Sequence, residues 1–370
     1  MTGILPVELI LEILSWLPVT NLMRFRCVSK TWKFLISNSY LMKLHLERSS
    51  KYSQILLLMS QRHEREFLPR LGSLPCLIQN PEPSSWGRIL QCPKPYEYLF
   101  GSCNGLLSLR DSLSTDEYEE HWVYFWNPAT KICSGPSPRL RLNFGIDLWR
   151  VIDFGFGYDD RRDSYKVVAI ILERRTLQIS VWVYCMGDVC WRRPLMTIPA
   201  FLSFDRNGYS LNGTINWIGI YWEESRTHKL QNQIFSYDLN NDTCRCLSVP
   251  EHVPTNSDFP SMGVLNDCLC VSLDTRMTVF VVLALRDVRD ERSWSRLMSV
   301  SYESLNICLD YYKLRILCMW DDLLLLTYSQ LWDDYDIIII FNLKENKIER
   351  TGADYLSRIF SYIPSLILPI

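Results

Sequence analysis

Histidine is scarce: the 370 residues contain 5. They stand at 45, 63, 121, 228 and 252, far apart and without a ligand-spaced neighbour. A zinc or copper centre built on imidazole lacks its ordinary donors here, so no metal and no cofactor are expected. GxGxxG, P-loop, HExxH and GxSxG signatures are absent as well, which removes the common phosphate-binding and hydrolytic machines. Gly155-Phe156-Gly157-Tyr158 reads as a glycine pair at a strand end rather than a phosphate cradle. Apolar runs such as Val279–Leu285 and Ile337–Phe341 stop far short of the ~20 residues a membrane helix needs, and read as buried strands. The opening MTGILPVELILEIL has no basic stretch, and Glu8 and Glu12 interrupt it, so a secretory signal is not expected. Charge of either sign is not in excess: 39 Lys plus Arg against 41 Asp plus Glu leave −2, too little for bulk nucleic-acid binding.

Apolar residues make up 48% of the chain, ample for a core, and the length suggests about two domains. The 13 Trp and 19 Tyr favour β structure. The 13 cysteines are odd in number and scattered, and Cys244-x-Cys246 and Cys268-x-Cys270 have strand spacing that puts both side chains on one face. Buried free thiols are the expected reading, in a reducing cytoplasmic and/or nuclear setting.

The first fifty residues differ from the rest. Six Lys/Arg (Arg24, Arg26, Lys30, Lys33, Lys43, Arg48) against three Glu (Glu8, Glu12, Glu47) give +3 and leave −5 for the remainder. Ile10, Ile13, Leu14 and Leu17 share one helical face, with Pro6 at the first helical position and Pro18 as the stop. Thr20 or Asn21 is expected to cap a second helix and Ser29 a third bearing Trp32, Leu35 and Ile36. Three short helices cannot bury all these groups among themselves, so Leu5-Pro6 and the leucine stripe should await a partner or a neighbouring domain.

Leu5-Pro6-Val7-Glu8-Leu9-Ile10-Leu11-Glu12-Ile13-Leu14, then Leu17-Pro18-Val19, then Phe25-Arg26-Cys27-Val28-Ser29-Lys30-Thr31-Trp32, closely resembles the F-box, and the match runs on through Leu35-Ile36-Ser37 to Lys43-Leu44-His45. The resemblance implies docking to a Skp-family adaptor and, through it, to cullin and RING subunits. It also implies an adaptor-binding surface of Leu5, Pro6, Ile13, Leu14, Leu17 and Pro18, with Val28 and Trp32 contributing or bracing the third helix.

From about residue 53 the pattern changes to short strands separated by turn residues. Tyr124-Phe125-Trp126-Asn127, Ile234-Phe235-Ser236-Tyr237-Asp238 and Ile339-Ile340-Phe341-Asn342 repeat one plan, an apolar strand closed by Asn or Asp and a polar turn. Trp126 and Tyr237 are 111 residues apart, Tyr237 and Phe341 104, and Trp191 and Trp294 103. Such spacing suggests one unit per ~50 residues, the size of a four-stranded propeller blade. Asn104-Gly105 and Asn212-Gly213 read as hairpin turns. Units are expected near 98–145, 150–200, 205–250, 260–300 and 312–350, with a sixth from 53–95 completed by Ser365–Ile370 to close the ring. A six-bladed propeller is the first expectation and a β-sandwich the alternative.

Gly101-Ser102-Cys103-Asn104-Gly105-Leu106-Leu107, Trp126-Asn127-Pro128-Ala129-Thr130, Phe154-Gly155-Phe156-Gly157-Tyr158-Asp159 and Tyr165-Lys166-Val167-Val168 look like the plant F-box-associated domain, as do Leu211-Asn212-Gly213 with Trp217 and Phe235-Ser236-Tyr237-Asp238-Leu239. The double glycine of strict kelch repeats is absent, so the likeness is kelch-like only. Together the resemblances imply a three-helix F-box module over 1–48 and a kelch-like propeller over 53–370. They imply a non-catalytic substrate receptor of an SCF-type ubiquitin ligase. Trp149, Tyr221, Trp222, Trp332 and Tyr335 are candidate anchors for a protein substrate, because Trp and Tyr dominate interface hot spots. Carboxylates at Asp116–Glu120, Glu223–Glu224 and Asp333–Asp336 read as solvated loops. A non-degradative sequestering module and a glycan-directed propeller enzyme are the competing classes.

Overall fold

The computed structural model describes residues 5–52, 55–62, 66–73, 88–94, 96, 98–143, 150–173, 178–196, 201–204, 208–222, 230–250, 260–275, 278–305, 313–329, 336–354 and 356–369. Four helices come first: α1 (Val7–Leu14), α2 (Val19–Phe25), α3 (Lys30–Ile36) and α4 (Ser39–Tyr52). Pro6 and Pro18 are the residues before α1 and α2, where their fixed φ and missing N–H cost nothing. Neither Thr20 nor Asn21 caps α2, since both lie inside it. Ser29 caps α3 as expected, its Oγ accepting the Trp32 N–H at 3.2 Å. The fourth helix was not foreseen; Asn38 Oδ1 accepts the Tyr40 N–H at its start. On α4, Leu41 and His45, one turn apart, face inward.

Among the described residues the strands that follow pair into six antiparallel sheets, against the two of a sandwich. Sheet 2 (Tyr98–Cys103, Leu106–Ser114, Tyr118–Asn127, Ile132–Cys133, with Leu140–Asn143 added) and sheet 3 (Arg150–Asp159, Ser164–Glu173, Gln178–Cys185) are followed by sheet 4 (Phe201–Phe204, Tyr209–Leu211, Thr214–Trp222, Leu230–Asp238, Thr243–Ser248). Sheet 5 (Ser261–Leu265, Cys268–Thr275, Val279–Leu285, Trp294–Ser301) and sheet 6 (Lys313–Trp320, Leu323–Ser329, Asp336–Asn342, Lys347–Asp354) repeat the meander. Sheet 1 joins Ile55–Arg62, Glu66–Ser73 and Arg88–Ile89 to Leu356–Tyr362. Tyr98–Cys103, Arg150–Asp159, Tyr209–Leu211, Ser261–Leu265, Lys313–Trp320 and Leu356–Tyr362 touch in turn, and the last returns to Tyr98–Cys103 in a closed cycle. The all-β region is propeller-like.

The ring is therefore closed by Leu356–Tyr362, paired with Ile55–Arg62, and not by Ser365–Ile370. Pro364 and Pro369 remove N–H groups that a closing strand would have to donate. Sequence repeats map onto recurring turns. Asn104 and Gly105 have φ of 51° and 83°, and Asn212 and Gly213 have 47° and 74°, the positive pairs a two-residue hairpin requires. After the apolar strands, Asn127, Asp238 and Asn342 each accept the N–H groups two and three residues on, closing the chain into a polar turn.

Apolar clusters fill the space between neighbouring sheets, as with Phe125, Phe156, Tyr165 and Tyr184 between sheets 2 and 3. A buried ion cluster joins sheets 3 and 4. Lys166 Nζ lies 2.8 Å from Asp159 Oδ2 and 2.8 Å from Asp242 Oδ1, and donates to the Leu239 carbonyl. Lys166 and Asp159 are wholly buried. Asp242 also accepts the Tyr237 hydroxyl at 3.0 Å and has Arg192 at 3.5 Å.

Candidate functional site

The helices pack through Leu11, Leu14, Val19, Leu22, Ile36 and Leu41, with Ile10, Leu17, Trp32 and Leu35 at the margin. Each such Leu or Val contributes about 1.5–3 kcal/mol when fully buried. The inward face of α1 is thus Leu11 and Leu14, one step from the expected stripe: Leu14 is buried, while Ile13 is 55% exposed. His45 anchors α4 to the end of α1, its Nε2–H donating to the Leu17 carbonyl at 2.9 Å while Ser49 Oγ sits 3.2 Å from Nδ1. Burial lowers the His45 pKa from its ordinary value against the pull of the Leu17 carbonyl. Arg48 ties the same corner, reaching the Glu12 carboxylate, the Glu12 carbonyl and the Ser15 hydroxyl and stacking on Trp16 at 4.3 Å.

What this small core cannot hold is left outside. Leu5, Val7, Leu9, Ile13, Trp16, Phe25, Val28, Phe34 and Tyr40 are exposed, nine of the fourteen exposed large apolar side chains among the described residues. Val28, just before α3, is 68% exposed, and Phe34, within α3, is 73% exposed. Pro6 and Pro18 are exposed too. Of the residues named from the sequence, Leu5, Pro6, Ile13, Pro18 and Val28 are therefore open to a partner. Leu17 is half-buried, and Leu14 supports the surface from within. Trp32 braces α3 against Phe25, ring centroids 5.6 Å apart. Leu9 and Phe34 belong to the open set and were missed, because periodicity gives a helix an apolar face without saying which apolar residues lie outside it.

On the β region, Trp149, Trp332 and Tyr335 lie outside the described residues, as do Glu223, Glu224 and Asp333. Tyr221 and Trp222 end the strand Thr214–Trp222, paired with Gln231 and Leu230. That strand starts at the Asn212-Gly213 turn, which meets Asn240, and Asn240 and Asn241 in turn meet Arg161. The neighbouring Asp163 bonds Lys43 of α4 at 2.7 Å. Tyr221 and Trp222 are thus at the end of sheet 4 remote from the turns that meet the helices. Glu119 and Glu120 are not free loop carboxylates: they lie in Tyr118–Asn127, Glu119 3.1 Å from His121 and Glu120 2.7 Å from Arg139.

Among the described residues no group of three His, Cys, Asp or Glu could hold a metal, and no helix is long and apolar enough to cross a membrane. Eleven cysteines among the described residues are free thiols, with Cys27 and Cys190 exposed against the expectation of burial. Burial pushes the Cys133 and Cys246 thiols up to about 11 and Cys270 to about 12, far from the thiolate a nucleophile needs.

Comparison with known proteins agrees with this division. Residues 4–44 match the F-box domain, and residues 77–358 match the F-box associated beta propeller domain. An F-box/kelch-repeat protein of Arabidopsis thaliana is 28% identical over 317 residues, covering 80% of this chain and 79% of its own. The Arabidopsis F-box protein CPR1 is 25% identical over 317 residues, 80% of this chain and 73% of its own. Among solved structures, a post-proline cleaving enzyme from Rickettsia typhi shares 10% identity at a TM-score of 0.43 over 80% of this chain and 51% of that one, a likeness too slight to inform the chemistry. With both domain matches in the order that the helices and sheets follow, the chain belongs to the F-box proteins that carry an F-box-associated β-propeller domain.

Proposed function

We propose that the protein is the substrate-recognition subunit of an SCF-type ubiquitin ligase. The helical module binds a Skp-family adaptor, and through it a cullin and a RING subunit; the propeller binds the protein to be ubiquitylated. The observation that carries this reading is the crowding of exposed apolar side chains onto α1–α3 and the residues beside them. A patch of that kind marks a protein interface. Leu5, Pro6, Ile13, Pro18 and Val28 are its contacts, joined by Leu9 and Phe34. The chain raises the rate by holding a target lysine near a ubiquitin-loaded conjugating enzyme. Target contacts fall to the propeller end where Tyr221 and Trp222 finish their strand, remote from the helices.

The test is binding of the purified chain to a Skp-family adaptor. Leu5→Ala/Pro6→Ala should abolish that binding and leave the melting of the propeller unchanged, whereas equal loss of both would mean the pair is structural. Failure of the well-folded chain to bind the adaptor removes the reading.

A further inference from the structure

After the closing strand Leu356–Tyr362 the chain does not stop at the ring. Ser365 is fully buried and Leu366 is 2% exposed, although neither belongs to a strand or helix. Leu366 enters the core of the helical module, packed with Leu11, Leu14, Val19, Leu22, Ile36 and Leu41. The next residue, Ile367, packs instead against the cluster between sheets 2 and 3. Two consecutive side chains are thus divided between two separate cores.

The backbone between them is fixed from the propeller side. Asn127, wholly buried, donates from Nδ2 to the Ser365 carbonyl at 3.0 Å and the Ile367 carbonyl at 2.7 Å. Its Oδ1 meanwhile accepts the Ala129 and Thr130 N–H groups at 2.9 and 3.3 Å. One amide therefore locks both the segment and the turn beside it, and Ala129 of that turn also touches the helical core. Gly105 makes room for the crossing: a Cβ there would lie 2.4 Å from the Ile363 carbonyl oxygen and from Ser365 Oγ. A further link, Lys43 to Asp163, joins two side chains more than half exposed, and water and salt weaken such a pair. The apolar insertion is the stronger hold.

We propose that Ser365–Ile367 is a positioning strap, in which Leu366 fixes the helical module to the ring and so sets the attitude of the adaptor-binding face relative to the target-binding end. This rests on the ligase reading for its consequence: transfer by proximity depends on where the held lysine stands, so the strap selects which lysines are reached. Leu366 is a positioning residue and touches no reacting group.

The test uses the full chain and its Leu366→Asp, Leu366→Ala and Leu366→Met variants. Self-ubiquitylation sites are mapped by mass spectrometry in the complex with adaptor, cullin, RING subunit and loaded conjugating enzyme. Hydrogen exchange is followed in Val7–Leu14 and Val19–Phe25. The wild-type chain should be modified at a restricted set of propeller lysines. Leu366→Asp should spread modification to further lysines and speed exchange of the helical amides at least about tenfold, since an apolar core contact is replaced by a charge. Leu366→Ala should do the same to a lesser degree if the aspartate variant fails to fold, and Leu366→Met should restore the wild-type pattern. Unchanged exchange with an unchanged site distribution overturns the strap. Should the wild-type chain not bind the adaptor, the ligase reading falls, and the exchange comparison still decides the attachment.

Discussion

Replacing Lys166 by Met keeps most of the aliphatic stem and removes the charge that joins sheets 3 and 4. The magnitude follows from what is left behind. Asp242 retains the Tyr237 hydroxyl and Arg192, so its carboxylate is partly compensated. Asp159 retains the Arg161 and Arg162 N–H groups on Oδ1, but Oδ2 loses the ammonium 2.8 Å away in a fully buried position. Breaking a buried pair by removing one partner costs about 3–5 kcal/mol, and the remaining hydrogen bonds place Lys166→Met near the lower end, ~3 kcal/mol. That is a large share of the ~5–15 kcal/mol a domain possesses. Urea unfolding followed by tryptophan fluorescence would read it as a lower midpoint at unchanged slope.

The pH dependence gives a sharper reading. Burial alone would raise the Asp159 and Asp242 carboxyls, but Lys166 and the hydrogen bonds around them hold both below the usual carboxylate value. A depressed carboxyl stabilises the fold above its unfolded pKa, and that stability is lost as pH falls through the lowered folded value. In Lys166→Met the burial of Asp159 is unopposed by the ammonium, its carboxyl rises, and protonation then stabilises the variant as pH falls. The gap between wild type and variant should therefore narrow between about pH 7 and 4. Lys166→Met/Asp159→Asn should recover part of the loss. A deficit below about 1 kcal/mol, or one constant with pH, would refute the view that a paired charge holds these sheets together.

Val28→Glu should weaken adaptor binding at least about tenfold in a calorimetric titration without shifting the melting temperature, because the side chain touches little in the free chain and an interface anchor is worth about 2 kcal/mol or more. His45, lowered by burial, contributes stability that is complete above its unfolded pKa of 6.5 and is lost as pH falls through its lowered folded value. The slope is at most about 1.4 kcal/mol per pH unit, and His45→Gln should abolish it in melts recorded across that range. Gly105→Ala forces a Cβ into a positive-φ position and against the strap, so chemical denaturation should show a loss of at least about 1–2 kcal/mol from the backbone alone.

Much of this architecture is legible in the sequence because its signals are local. Asn-Gly pairs must sit where φ is positive, and the Asn or Asp closing an apolar strand organises its own turn, so 104–105, 127, 212–213, 238 and 342 mark out the repeat. The F-box string is contiguous for the same reason: its helices are set by nearby prolines and a Ser cap. Helix α4 escaped notice because SYLMKLHLERSSKY is largely polar, and its inward face includes a histidine whose burial depends on a carbonyl two helices away. The closing strand was misplaced because both candidates are apolar, and only the partner strand, some 300 residues earlier in the chain, decides between them. The seating of Leu366 among Leu11, Leu14 and Leu22 was equally hidden, since sequence periodicity cannot bring a residue from the far end of the chain to α1.

Closure of the ring by Leu356–Tyr362 also dictates an order of assembly. Contacts this far apart in the chain make the last sheet the slowest to form, since the loop entropy of the whole β region must be spent before its pairing returns anything. On the ribosome the helices emerge first, and their local hydrogen bonds can form while Ile55–Arg62 waits with an unpaired edge. A chain interrupted before residue 356 would keep the outward-facing apolar residues of the F-box while carrying an open sheet and lacking Leu366. If the protein is the proposed ligase receptor, such a fragment would compete for adaptor without delivering a target.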